Sequence, residues 1–149
     1  MDLWHSTSFG IYALFACGLC LLMLGIDGAG GGVRVGTKTV VNPEDTTTVA
    51  KGAKVVDGDP DAVARVMRAH RNALANVIPF LIVMFLYVAL GATSQWVLAL
   101  CGVFTLARVV HAFAYINAKQ PFRTASFVIG QLCTVVAMIQ VVRAAIAIV

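Results

Sequence analysis

Four apolar runs, three of them near the length that crosses a bilayer, decide what this chain can become. They begin at about Ser8, Val77, Gln95 and Thr124, and turn-forming or charged residues separate them. A span needs about 20 predominantly apolar residues. The chain has 149 residues, 60% of them apolar and only 12% charged. A soluble domain of this size carries about a quarter charged residues. It also hides only about two-thirds of its surface, so this much apolar side chain could not all leave water. Lipid is the solvent that fits, and the expected fold is all-α: one integral membrane four-helix bundle.

The first span is expected over residues 8–26. Its leading segment, Met1-Asp-Leu-Trp-His-Ser6, holds no lysine or arginine, which argues against a cleaved secretory leader. A loop is expected over 27–59, because Ala29-Gly-Gly-Gly32 disfavours helix and polar turn formers such as Asn42-Pro-Glu-Asp45 follow. Asp59-Pro60 reads as a helix start, with aspartate as cap and proline in the first turn. The second helix is expected over 60–90, kinked at Pro79. Its apolar half, from Val77, is too short to span, so its basic half must enter the membrane zone facing protein or water. The third and fourth helices are expected over 95–118 and 124–148. Lysines and arginines collect at the end that holds the long loop and the 117–124 connection, which places that end in the cytoplasm.

Charge is distributed unevenly. All seven acids lie at or before Asp61, and the rest of the chain carries seven bases and no acid. A basic soluble protein would suggest nucleic acid. Here the bases alternate with membrane spans, so no nucleic-acid partner is expected. Cys17, Cys20, Cys101 and Cys133 sit inside apolar runs and read as small packing residues. They imply neither a disulfide framework nor a metal site.

The chemistry concentrates in Arg65-Val-Met-Arg-Ala-His-Arg-Asn72. At about 100° per residue, Arg65, Arg68, Asn72 and Asn76 share one stripe of the second helix, with Arg71 beside it. Arg108, His111 and Tyr115 share a face of the third helix by the same arithmetic. Arg123 and Thr124 open the fourth, where backbone N–H groups and the helix dipole favour an anion. Arginines at helix ends also reach lipid phosphates, and a lone histidine is most often a bonded core residue. The combination points elsewhere: three helices aim cations and donors at one level where acids are scarce, which suits an anionic ligand. Arg108 lies deeper, where one arginine holds helices together or bridges subunits.

These residues resemble a known signature. Asp59-Pro-Asp61, Arg65 to Asn72 and Pro79-Phe80 are similar to motifs of the MAPEG superfamily, the membrane-associated proteins in eicosanoid and glutathione metabolism. Arg108-Val-Val-His-Ala-Phe-Ala-Tyr115, Pro121-Phe-Arg-Thr124 and Gln131 continue the resemblance, as does Asn42-Pro-Glu-Asp45 with Arg34 upstream. It covers about residues 33 to 143 and lies nearest the branch of microsomal prostaglandin E synthase and microsomal glutathione transferase.

The resemblance implies a homotrimer with glutathione as co-substrate, bound between neighbours, and no metal. Arg34, Arg68, Arg71, Asn72, His111, Tyr115 and Arg123 match positions that hold glutathione. Arg123 matches the residue that stabilises the thiolate, Thr124 stands where a serine lies near the sulfur, and Asp45 matches a loop aspartate that assists. The implied activity is transfer of glutathione to lipophilic electrophiles, or peroxidase action on lipid hydroperoxides, with isomerase chemistry in the same family. The alternative is a non-catalytic membrane protein that binds lipid or glutathione. Two family acids are Ala64 and Ala75 here, and an aromatic hydroxyl of the fourth helix is Phe127. The absence of a targeting segment and the four spans suit a bacterial inner membrane.

Overall fold

The computed structural model describes residues 2–149. Four long helices run antiparallel: α1 (Thr7–Thr37), α2 (Asp61–Ala89), α3 (Ser94–Ile116) and α4 (Gln120–Ile146). Each is long and apolar enough to cross a membrane. A 3-10 turn, Leu3–His5, precedes α1. Between α1 and α2, Thr39–Val40 (β1) pairs in parallel with Lys54–Val55 (β2), and a second 3-10 turn spans Pro43–Thr46. The α2–α3 turn and both termini lie at one end of the bundle. The 38–60 loop and the α3–α4 connection lie at the other.

Two boundaries differ from the sequence expectation for physical reasons. Helix α1 continues eleven residues beyond Ile26, through Gly28, Gly30, Gly31 and Gly32, to Thr37. The expected loop over 27–59 therefore shrinks to 38–60. A helical glycine costs roughly 0.5–1 kcal/mol when the freed backbone can bond to water. Gly30 is buried against α2, where an added Cβ would sit 2.9 Å from Met67 Sδ. Helix α4, in turn, starts four residues earlier than Thr124, with Pro121 in its first turn, a position that tolerates a missing N–H. Pro79 lies inside α2 without ending it.

The Gly30 contact makes a prediction. Gly30→Ala should leave the thermal midpoint in detergent nearly unchanged, because a methionine side chain can swing aside. Gly30→Leu has no such room and should cost about 1–3 kcal/mol of overpacking. Equal midpoints for the leucine and wild-type proteins would show that α1 and α2 are not closely apposed there.

Packing falls into two levels. The larger cluster, towards the α2–α3 turn, includes Leu19, Val77, Phe80, Met84, Val97 and Phe104, with the Phe80 and Phe104 rings stacked at 3.6 Å. The smaller, towards the loop end, joins Ile26, Val66, Ala69, Ala73 and Ala112. Small residues dominate it and let α1, α2 and α3 approach closely. Two polar clasps fix α1: Ser8 Oγ donates to the Ala92 carbonyl at 2.7 Å, and Tyr12 Oη to the Leu81 carbonyl at 3.2 Å. Cys17 and Cys20 are exposed on α1, on the surface that lipid would cover, while Cys101 and Cys133 are buried.

Candidate functional site

Between the two packing levels, one turn from Phe104 and one turn from Ala112, α3 buries Arg108. Only 2% of it is exposed. Its room comes from α4: Gly130 has no side chain, and a Cβ there would lie 3.6 Å from Arg108 Cδ and 3.8 Å from Phe104 Cε2. Arg108 Nη2 donates to Asn72 Oδ1 at 2.7 Å. Its Nε and Nη1 are buried without a protein partner. One turn on, Asn76 Nδ2 donates to the backbone carbonyl of Asn72 at 2.7 Å. A guanidinium has five donors and no acceptor, so this level of the bundle is rich in donors.

One turn towards the loop end lies His111, also buried. Its Nδ1 is 3.0 Å from the Arg123 carbonyl. A carbonyl only accepts, so Nδ1–H donates, while Nε2 is buried without a partner among the described residues. This bond fastens α3 to the first turn of α4. Ser126 completes the junction: its hydroxyl donates to the Phe122 carbonyl at 2.6 Å and lies 3.5 Å from His111 Nδ1. The Arg123 guanidinium then stacks 4.9 Å above the Tyr115 ring. Such stacking holds an arginine while leaving its fork of donors free.

Asn72, His111, Tyr115, Arg123, Thr124 and Phe127 together line a cavity of about 230 Å³. Three helices contribute, and no acid lies on any of them beyond Asp61. The pocket therefore attracts an anion. The fourth helix acts differently from expectation here. Because α4 starts at Gln120, the Arg123 N–H is already bonded to the Lys119 carbonyl at 3.0 Å. The N–H groups at Arg123 and Thr124 are thus not free for a ligand, and side chains must hold the anion instead.

The remaining residues with expected roles lie elsewhere in the subunit. Arg34, near the end of α1, grips Asp59: Nη2 lies 2.8 and 2.9 Å from its two carboxylate oxygens and Nε 3.1 Å from one. Asp59 therefore does not cap α2; Pro60 occupies that position without a side-chain bond. Arg34 also borders a separate cleft of about 380 Å³ with Lys38 and Lys51. Asp45 sits in the Pro43–Thr46 turn, where its carbonyl accepts from the Ala50 N–H at 2.9 Å. Arg68 and Arg71 are exposed on α2, and Arg65 is half-buried. Sequence reasoning missed Ser126 and Gly130. Ser126 follows Arg123 by three residues and so shares its helix face, which was the available signal. Gly130 carried none.

The model of the MAPEG family matches residues 11–143. The prostaglandin E synthase of Macaca fascicularis is 39% identical over 105 residues, which is 68% of this chain and 66% of that protein, just under two thirds of its length. The microsomal glutathione S-transferase 1 of Homo sapiens is 35% identical over 125 residues, 82% of this chain and 81% of that protein. The corresponding transferase of Sus scrofa is 32% identical over 132 residues.

Proposed function

This chain belongs to the MAPEG family of multi-pass membrane proteins, and we propose that it is a glutathione transferase that activates a thiolate against lipophilic electrophiles or lipid hydroperoxides. The observation that carries the reading is the convergence of Arg123, Thr124, Tyr115, His111 and Asn72 on one acid-free pocket. A thiol near neutral pH is mostly protonated, and a neighbouring cation lowers its pKa. Arg123 is the cation free to do this. The Thr124 hydroxyl, on the next residue, can donate to the same sulfur. The thiolate then attacks the electrophilic carbon, the leaving group departs with the bonding pair, and the thiol proton passes to solvent. Substrate dissolved in the bilayer enters from the side.

The pocket of one subunit is small. Sites for drug-sized ligands occupy about 300–1,000 Å³, and about 230 Å³ accommodates only part of a tripeptide. The rest of glutathione then lies against a neighbouring subunit in a homotrimer, which supplies Arg34, Arg68, Arg71 and the assisting Asp45. Lysines and arginines crowd the loop end, and Arg143 stands alone among them at the other. We place the loop end in the cytoplasm on that basis, in a bacterial inner membrane.

The purified protein in detergent should raise the rate at which glutathione conjugates to a chlorinated dinitroaromatic, read by product absorbance. A second reading has one observation in its favour. No carboxylate lines the pocket to meet the ammonium of glutathione, since Ala64 and Ala75 stand where family acids are expected. A non-catalytic binder of lipid or glutathione would look the same. Calorimetric titration with glutathione separates the two. Binding without turnover across several electrophiles and peroxides would establish the binder and end the transferase reading.

A further inference from the structure

On the opposite side of the α3–α4 wall from the polar pocket, the two helices leave an apolar groove. Its deeper part, about 290 Å³, is walled by Val103, Leu106 and Val110 of α3 and by Ala125 and Ile129 of α4. Its upper part, about 360 Å³, shares Val110 and Phe122 with the deeper one and continues past Phe113 to Lys119. The two parts adjoin at Val110 and Phe122, are walled mostly by carbon, and end at a single cation. Phe113 and Phe122 stand 67% and 65% exposed at its rim.

Length and charge together say what fits. From Val103 to Phe113 is ten residues, or about 15 Å at 1.5 Å per residue. That is half of a bilayer core about 30 Å thick, so the groove has the depth of one leaflet. Among the described residues Lys119 forms no salt bridge, and no acid follows Asp61 in the chain. An acyl chain satisfies the carbon walls, and an anionic head satisfies the lysine.

We propose that the α3–α4 groove holds one acyl chain of an anionic phospholipid whose phosphate pairs with Lys119. The occupied groove lies directly behind the pocket, because Ser126 lines the groove and also bonds the carbonyls at the start of α4. The lipid thus braces the turn that presents Arg123. The site is independent of the transferase reading and stands or falls on binding alone.

A tryptophan reporter tests it. Phe113→Trp is made in a background where Trp4 and Trp96 are phenylalanine, and the protein is reconstituted into phosphatidylcholine vesicles. A minor fraction of brominated phosphatidylglycerol should quench the reporter with about fivefold higher apparent affinity than brominated phosphatidylcholine, the preference that one cation confers. Lys119→Gln should remove the preference, while Lys54→Gln, a loop cation away from the groove, should leave it intact. Ala125→Leu, which fills the groove, should weaken quenching by both lipids. Equal quenching by the two lipids, or an equal loss with Lys54→Gln, would mean diffuse surface charge and overturn the assignment. Quenching by a brominated free fatty acid but not by phosphatidylglycerol would overturn it in favour of a single-chain ligand. Quenching by none would mean that another copy of the chain fills the groove.

Discussion

Arg123→Ala should lower kcat/KM for glutathione conjugation by about 10²–10³, the size of effect seen when one preorganised group facing a developing or stabilised anion is removed. The fold should survive the change. His111 bonds the backbone carbonyl of residue 123, which alanine keeps, and among the described residues the guanidinium itself makes no hydrogen bond. The loss is therefore a loss of charge at the sulfur. Arg123→Lys should fall between the two, since lysine keeps the charge but gives up the planar fork and the stacking on Tyr115. Tyr115→Leu should cost less than Arg123→Ala, because it frees the arginine to wander without deleting it. The measurement is the initial rate against glutathione concentration, with the ultraviolet absorbance of bound thiolate as a second readout. An alanine variant that keeps most of its rate and its thiolate signal would remove Arg123 from the chemistry.

The bundle was legible in the sequence because long apolar runs have few alternatives. The limits of the helices were less so, and both errors share a cause. Glycine and proline interrupt helices less when packing or a first-turn position accommodates them. Along α1, Gly28 to Gly32 stay helical, and Gly30 lies against Met67 of α2, where a larger side chain would not fit. At α4, Pro121 serves the first turn instead of blocking it. The site divides in the same way. Arg108, His111 and Tyr115 lie three and four residues apart, so helical spacing alone puts them on one face, and the family motifs brought Asn72, Arg123 and Thr124 to them. The position of Asp59 before Pro60 suggests a local cap, but the carboxylate serves Arg34, 25 residues away. Nothing in the spacing of that loop predicts the pair. Gly130 was equally silent, since an absent side chain shows its purpose only when Arg108 is seen lying across it.

Removing Asn72 should be more harmful to stability than removing the arginine it serves. Arg108 is a buried cation with one side-chain partner, two buried donors unsatisfied and no acid at its level of the bundle. A hydrogen bond to a charged group contributes about 1.5–3 kcal/mol, so Asn72→Leu should lower the stability of the protein in detergent by that order. Arg108→Met keeps the bulk of the side chain and removes the charge. Replacing a buried ionic group by an apolar one of similar volume is often neutral or stabilising, so this variant should melt at or above the wild-type temperature. The double variant should recover most of what Asn72→Leu loses, because the damage comes from the stranded cation and not from the missing amide. Activity should not recover with it, since Asn72 lines the pocket beside Arg123 and Thr124. Melting curves of the four proteins complete the cycle. If the two single changes simply add, Asn72 and Arg108 are not coupled. In that case Arg108 is satisfied by something other than this amide, and the Nε and Nη1 donors become the place to look for it.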